Sequence, residues 1–200
     1  FNQMLVCAPA SGLRTLDQLD AAARKTPGSL SYASGGQGVP GHLAMELYLA
    51  GAGLNVLHVP YKGPSPAAQD VLAGQVPCGF LASPVVASYV TAGKLNGLAV
   101  SGSTRSTVAP DIPTMSQAGV AGYDATFREM LFAPKGTPEA IVRRMNEEVA
   151  RALARPDVKR KLQANDLDPL PQTPGDTARQ LQEDAAKWAA VVRKINLRVD

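Results

Sequence analysis

The residues best suited to chemistry lie in one glycine-rich segment in the first quarter of the chain. Gly36-Gln37-Gly38-Val39-Pro40-Gly41 matches the G-x-G-x-x-G pattern, with Ser34 just before it and His42 just after it. An alternating apolar segment precedes this loop, and a segment with apolar residues at helical spacing follows it. The order strand, glycine loop, helix start directs backbone N–H groups outward from a positive helix end, where they bind phosphate or carboxylate. The pattern therefore predicts an anion site at residues 34–42.

The same pattern is typical of dinucleotide-binding domains, so a nicotinamide nucleotide is the competing ligand. Such domains place a carboxylate at the end of the next strand, where it binds the ribose hydroxyls. The next predicted strand ends in His58-Val59-Pro60-Tyr61-Lys62, without an acid, and Asp70 lies inside the following helix. Pro40 also stands where the loop backbone would approach a pyrophosphate. A carboxylate is therefore favoured, and an NAD-type enzyme domain using loop 36–41 is the alternative.

Catalytic groups are sparse around this loop. Ser34 and His42 suggest a nucleophile and a base, but no acid is placed to orient His42, and a serine at a glycine turn more commonly caps a helix or donates a hydrogen bond. His58, at an alternating strand position, is interpreted as a core residue. Cys7 and Cys78 lie far apart without a partnering histidine pattern, which argues against a metal site. The sequence thus predicts a binding protein without catalytic residues, metal or cofactor.

Composition sets the class of protein and the range of partners. Hydrophobic residues make up 45% and charged residues 18% of the 200 residues, which is sufficient for a folded core. The net charge of +3 is spread over interleaved basic and acidic residues, which indicates solvated helix faces rather than a nucleic-acid surface. No apolar run approaches ~18 residues, so no membrane span is predicted. For Cys7 and Cys78, a disulfide in an oxidising compartment is one possibility, and two buried free thiols are the favoured interpretation.

Alternating strand and helix patterns predict an α/β lobe that positions the loop. The predicted strands are 4–8, 30–34, 54–61, 78–82 and 95–101, and the predicted helices are 15–25, about 41–50, 67–72 and 84–92. In a parallel sheet of this kind, loops 34–41, 61–66, 82–84 and 101–105 share the edge where ligands bind. A strand-like run at 123–133 and helices at 139–153, 156–163 and 175–195 follow, the last with Leu181, Trp188 and Val192 inward.

Six blocks of the sequence, in order, resemble one protein family. They are YASGGQGVPGHLAMELY, HVPYKGPSPAAQDVLAGQV, AGKLNGLAVSGSTRS, PDIPTMSQAGVAGY, APKGTPEAIVRRMNEEVARAL and AAKWAAVV. The family is the tripartite tricarboxylate transporter receptors, also called TctC-like or Bug-type periplasmic solute-binding proteins. The resemblance extends over nearly the whole chain.

The resemblance implies two α/β lobes, joined by crossover strands, that close on a small carboxylate-bearing ligand. Family proteins begin with a signal peptide and a first lobe, and nothing in this sequence matches that lobe. Residues 1–9 are then the last strand of lobe one and the crossover, residues 10–122 are lobe two, and residues 123–200 are a return strand with helices that normally pack on lobe one. The implied fold class is α/β, a type II periplasmic-binding-protein-like lobe with a parallel-type sheet flanked by helices, plus C-terminal helices.

The resemblance also implies which residues bind the ligand. The carboxylate loop of lobe two corresponds to Ser34, Gly35, Gly36, Gln37 and Gly38, with His42 just inside the helix and with Tyr61 and Lys62 on the neighbouring loop. A solvated surface lysine is an equally good interpretation of Lys62.

Two departures from the family pattern bear on the ligand. Where relatives carry Phe-Asp after the third strand, this chain has Phe80-Leu81, which argues against an amino-acid ligand. Arg128 stands where relatives often carry Trp-x-Gly, and it is either a clamp for a second carboxylate or a surface partner of Glu129 or Asp124.

The implied function is a non-enzymatic periplasmic receptor for small carboxylates that feeds a tripartite transporter. Its implied partners are the ligand and the permease subunits in the membrane, and no nucleic acid. Without lobe one, the C-terminal helices would expose an apolar face, and such a face favours a homodimer.

Overall fold

The chain alternates strands and helices as far as residue 100 and becomes helical after residue 138. The structure, a computed structural model, describes residues 1–195. The strands are β1 (Gln3–Cys7), β2 (Ser31–Ser34), β3 (Leu57–Pro60), β4 (Cys78–Ala82) and β5 (Asn96–Val100). The helices are α1 (Leu16–Lys25), α2 (Pro40–Ala52), α3 (Pro64–Leu72), α4 (Ser83–Thr91), α5 (Glu139–Leu153), α6 (Pro156–Gln163) and α7 (Pro174–Lys194).

The strands form one sheet in the order β3-β2-β4-β1-β5. β2 runs parallel to β3 and β4, whereas β1 is antiparallel to both of its neighbours, β4 and β5. The four strands predicted for the lobe therefore point in one direction, and β1, the predicted crossover strand, is inserted against them. The predicted α/β class is confirmed, with a mixed rather than purely parallel sheet.

Helices cover both faces of the sheet because side chains alternate along each strand. Leu5 of β1 belongs to an apolar cluster with residues of α1 and α2, and its neighbour Met4 belongs to a second cluster with residues of α3 and α4. α7 packs against α2, where Trp188 joins the first cluster. The result is a three-layer arrangement in which the sheet lies between two pairs of helices.

Local signals set several helix boundaries. Thr15 caps α1, because its side chain accepts a hydrogen bond from Gln18 N at 3.3 Å. Pro40 is the first residue of α2, and Gly53 ends it in the left-handed conformation with φ of 64°.

The return strand predicted at 123–133 is wrong, because these residues, all described in the structure, form no strand. The backbone of this segment makes isolated contacts: Ala125 N donates to Ser101 O, and Phe127 N donates to Phe1 O. Phe1 and Ser101 lie just beyond the ends of β1 and β5. The segment passes the sheet end instead of lying beside a strand, so no ladder forms.

The C-terminal helices differ from expectation in which side chains they bury. Val191 of α7 is buried in place of the predicted Val192, and Leu181 is exposed. In α5 the apolar residues Ile141 and Met145 are also exposed. Within residues 1–195, no helix is long and apolar enough to cross a membrane.

Cys7 and Cys78 form a disulfide, so the favoured interpretation as free thiols is wrong. β1 and β4 are adjacent antiparallel strands whose register places the two cysteines opposite each other, with 4.0 Å between their Cα atoms. Both side chains are buried in the core. The two cysteines are 71 residues apart in the sequence and become neighbours only through the order of the strands in the sheet.

Candidate functional site

The glycine loop and the loop after β3 lie side by side at one edge of the sheet. Tyr61 N donates to Ser34 O at 3.0 Å, and Gly63 N donates to Gly35 O at 2.9 Å. These bonds continue the parallel pairing of β2 and β3 beyond the strand ends. The carboxyl ends of β4 and β5 meet the same edge, because all four strands are parallel. The predicted clustering of loops is therefore present.

Glycines shape the loop between β2 and α2. Gly38 has φ of 72°, a conformation that favours glycine. A Cβ at Gly41 would collide with the carbonyl oxygen of Phe80 in β4, so glycine permits α2 to begin directly on the sheet. The G-x-G-x-x-G spacing here serves a tight turn followed by close helix-to-sheet packing.

Backbone amides of the loop divide into two groups. Gly36 N donates to Ser34 Oγ at 3.2 Å, and Gly38 N donates to His42 Nδ1 at 3.0 Å. Within residues 1–195, the amides of Gln37, Val39 and Gly41 have no protein acceptor. The start of α2 lacks a capping side chain as well. Donors of this kind at a helix start suit an oxyanion.

Ser34 and His42 lie beneath the loop and are buried. Ser34 Oγ lies 2.9 Å from Gly36 O and 2.7 Å from Nε2 of His58. The rings of His42 and His58 stack with centroids 4.0 Å apart, and Tyr32 stacks on the other side of His58 at 4.9 Å. Both predicted side chains are therefore engaged within the protein and support the loop from below.

The cluster also includes the carboxylate of Glu46 in α2. The Tyr32 hydroxyl donates to Glu46 Oε1 at 2.8 Å, and His42 Nε2 lies 4.0 Å from the same oxygen. Burial lowers the pKa of His42, an effect that the Glu46 carboxylate opposes. Burial, with a smaller contribution from His42, lowers the pKa of His58 to about 4. Both rings are therefore neutral near pH 7.

Tyr61 and Lys62 differ in their surroundings. The Tyr61 hydroxyl donates to Asp70 Oδ2 at 2.6 Å. Desolvation, together with this bond and the charge of Asp70, raises the pKa of Tyr61 to about 12. Lys62 is exposed on the loop between β3 and α3. Asp70, the acid nearest in sequence to the end of β3, is thus bound to a tyrosine.

Arg128 lies apart from the loop, against α7. Its guanidinium Nη1 contacts both carboxylate oxygens of Asp184, at 2.9 and 2.8 Å. The sequence suggests Glu129 or Asp124 as a surface partner of Arg128, but Asp124 lies 3.9 Å from the ammonium of Lys187. Arg128 also borders a pocket of about 250 Å³ lined by aromatic and aliphatic side chains of the return segment and α7. Its role toward a second carboxylate stays a prediction.

Comparison with known proteins gives the family. The sequence model of the family described as "Tripartite tricarboxylate transporter family receptor" matches residues 1–197. The chain belongs to this receptor family. Among its relatives, a protein in the tcbD-tcbE intergenic region of Pseudomonas sp. (strain P51) is 34% identical over 97% of this chain, and BugT of Bordetella pertussis is 33% identical over 96%. The chain spans 58% and 59% of the lengths of these two relatives.

Solved structures of similar proteins share the fold. Rpa4515 of R. palustris with adipate has a TM-score of 0.85 and 29% identity, over 98% of this chain and 66% of that chain. MatC from Rhodopseudomonas palustris with bound malate has a TM-score of 0.75 and 28% identity, over 96% and 66%.

Sequence reasoning missed three residues of the cluster: Tyr32, Glu46 and His58. The parallel register of β2 and β3 places Tyr32 beside His58, and the helical spacing of four residues places Glu46 near His42. The second of these signals is visible in the sequence, and the first requires knowledge of the strand register.

Proposed function

We propose that this chain is the ligand-binding part of a receptor for small carboxylates, and that loop 34–42 holds the carboxylate. The observation that carries the proposal is the set of amides without a protein acceptor, those of Gln37, Val39 and Gly41, at the start of α2. Adipate and malate, the ligands of two similar structures, are small dicarboxylates. Hydrogen bonds to a carboxylate are worth about 1.5–3 kcal/mol each, so a few amides suffice for binding.

Gly35, Gly36 and Gly38 serve this site through the loop backbone, and Ser34 and His42 serve it from beneath. Tyr61 and Lys62 lie on the adjoining loop, within the same edge of the sheet. Lys62 is the exposed cation of that loop and would attract a dianion. Binding of this kind involves no catalytic step and no cofactor.

The lobe division follows from the same proposal. Residues 1–9 cross from lobe one, residues 10–122 bind the ligand, and the chain from residue 123 onward returns to lobe one, with α7 also packed on α2. Side chains that are exposed on the return segment and the C-terminal helices support this division, since they would be covered by a lobe: Leu131, Phe132, Ile141, Met145 and Leu181. The length of the relatives, of which this chain spans 58–59%, leaves room for such a lobe.

A periplasmic location and delivery to the permease subunits of a tripartite transporter complete the proposal. The disulfide between Cys7 and Cys78 supports an oxidising compartment, because such bonds persist there and are rare in the cytosol.

Calorimetric titration of the chain with adipate, malate and NAD tests this function. We expect a carboxylate to bind and NAD to give no heat of binding. Val39→Pro removes one loop amide at a residue whose φ of −75° suits proline, whereas Val39→Ala keeps that amide. Loss of one charge-assisted bond predicts an affinity roughly tenfold lower or more for V39P, and a much smaller loss for V39A.

Binding of NAD alone would replace this function with the nucleotide-binding alternative. If V39P and V39A lose affinity equally, the backbone amide of Val39 does not bind the ligand. A longer chain that includes lobe one should bind more tightly than the 200-residue chain, because closure of two lobes adds contacts.

A further inference from the structure

The loop depends on an acceptor that only a neutral histidine provides. His42 Nδ1 accepts the Gly38 N–H, so the ring proton is on Nε2, which faces Glu46 Oε1 at 4.0 Å. A protonated imidazole has two N–H donors and no acceptor. Protonation of His42 would therefore break its bond to Gly38 and place two N–H groups against each other.

His58 supports the preceding part of the loop in a parallel way. Its Nε2 lies 2.7 Å from Ser34 Oγ, and that hydroxyl oxygen accepts the Gly36 N–H at 3.2 Å. The two stacked rings thus engage the amides of Gly36 and Gly38, directly or through Ser34. The intervening amide of Gln37 and the following amide of Val39 are left without a protein acceptor within residues 1–195.

We propose that His42 and His58 are positioning residues that fix the carboxylate loop, and that the receptor releases its ligand when His42 becomes protonated. This inference rests on the function proposed above. The histidines act through Gly38 and Ser34, and the ligand is held by the remaining amides.

The charged and titratable groups around His42 are few. Glu46 faces it from α2, His58 stacks on it from β3, and the Tyr32 hydroxyl of β2 is directed to Glu46. At Gly41, the neighbouring strands present Phe80 and Gln3, which carry no charge. Because burial lowers the pKa of His42, the release should occur on the acidic side of an ordinary histidine.

Substitution by Asn or Gln distinguishes the roles of the two nitrogens of each histidine ring. Asn Oδ1 occupies the place of His Nδ1 and accepts a hydrogen bond without titrating, whereas the Gln amide reaches the place of Nε2. His42→Asn therefore keeps the acceptor for Gly38, and His42→Gln removes it. At position 58 the order is reversed, because His58 uses Nε2: His58→Gln keeps the contact to Ser34, and His58→Asn removes it.

The test is the Kd for adipate or malate of the 200-residue chain and the four variants, measured from about pH 5 to 8. We expect wild-type affinity to be constant above about pH 6.5 and to fall as the pH is lowered, by roughly tenfold once His42 is protonated. H42N should lack this fall, apart from protonation of the ligand itself, and H42Q should bind weakly at every pH. At position 58, H58Q should bind better than H58N.

Two binding results would overturn the inference. Tighter binding at low pH would mean that a cationic His42 contacts the anion directly. The same order of Asn and Gln at both positions would mean that the rings contribute bulk rather than hydrogen bonds.

Nuclear magnetic resonance of the Gly38 amide tests, without a ligand, whether protonation of His42 breaks its bond to Gly38. In the wild type its shift should titrate with a midpoint below about pH 6.5, and in H42N it should not. If no carboxylate binds at any pH but Gly38 follows His42, the proposed function fails and the positioning role stands. If the chemical shift of the Gly38 amide has the same pH dependence in the wild type and in H42N, the positioning role is refuted.

Discussion

At the scale of single residues, the two histidines of the chain stack on each other, His42 buried and His58 half-buried, and both rings are neutral near pH 7. Stacking at 4.0 Å means that a charge on one ring disfavours a charge on the other. The carboxylate of Glu46 lies near His42, and its hydrogen bond from Tyr32 keeps it in place. This cluster couples the stability of the lobe to pH.

We expect the unligated chain to lose stability between about pH 6.5 and 4. His58 has a pKa of about 4 in the fold and about 6.5 in an unfolded chain, so the unfolded state binds more protons in this range. The free energy of unfolding therefore falls as the pH falls, by on the order of 2 kcal/mol for a ring that is only partly buried. Unfolding in denaturant at a series of pH values measures this change in the free energy of unfolding.

The matched control for this dependence is His58→Gln, which keeps a polar group at the position of Nε2 but does not titrate. Its stability should vary less with pH than that of the wild type over the same range. Parallel curves for the two proteins would show that acidic side chains, and not His58, account for the loss.

At the scale of elements, β1 is held in the sheet by covalent and polar bonds to distant parts of the chain. Its Cys7 is joined to Cys78 of β4. Just before the strand, Asn2 N donates to the buried Asp166 carboxylate at 3.1 Å, and Asn2 Oδ1 accepts from Gly102 N at 2.7 Å. Asp166 also accepts from Ser106 Oγ and Thr107 N. The connection after α6, the loop after β5 and the start of β1 are thereby fixed together.

Reduction of the disulfide should lower the free energy of unfolding by about 4 kcal/mol, because the bond closes a 71-residue separation in the unfolded chain. Unfolding in denaturant with and without reductant measures this change. A Cys7→Ala, Cys78→Ala variant should be insensitive to reductant. Labelling of two thiols in the denatured, unreduced protein would contradict the bond.

Elements with local signals were predictable from the sequence, and those that depend on distant partners were not. Thr15 at the start of α1 and Pro40 at the start of α2 act within one helical turn, so the residue types alone indicate them. The apolar residues at 123–133 predict a strand, but a strand needs a neighbouring strand along its length, and the backbone of this segment instead bonds to Phe1 and Ser101, just beyond the ends of β1 and β5. The bond between Asn2 and Asp166 spans 164 positions and has no sequence signature.

At the scale of the whole molecule, the loop edge could be predicted because a parallel sheet aligns its carboxyl ends. The polar cluster beneath the loop could not, since it combines residues of three elements in a particular register. Phe132, 65% exposed on the return segment, and the exposed Leu181 form an apolar surface at the pocket beside Arg128, and Leu131, the chain neighbour of Phe132, is 69% exposed. Large exposed apolar side chains grouped in this way favour association.

We expect the 200-residue chain to associate through this surface, and a longer chain that includes lobe one to remain monomeric. Light scattering over a range of concentrations measures the mass. Leu131→Ser with Phe132→Ser should reduce association because it removes apolar area from the surface. Leu57→Ser is the matched control: Leu57 is 60% exposed, but it lies on the edge strand β3. If L57S abolishes association and the double variant does not, the copies pair through the sheet edge, and the surface around Phe132 is not the one that lobe one covers.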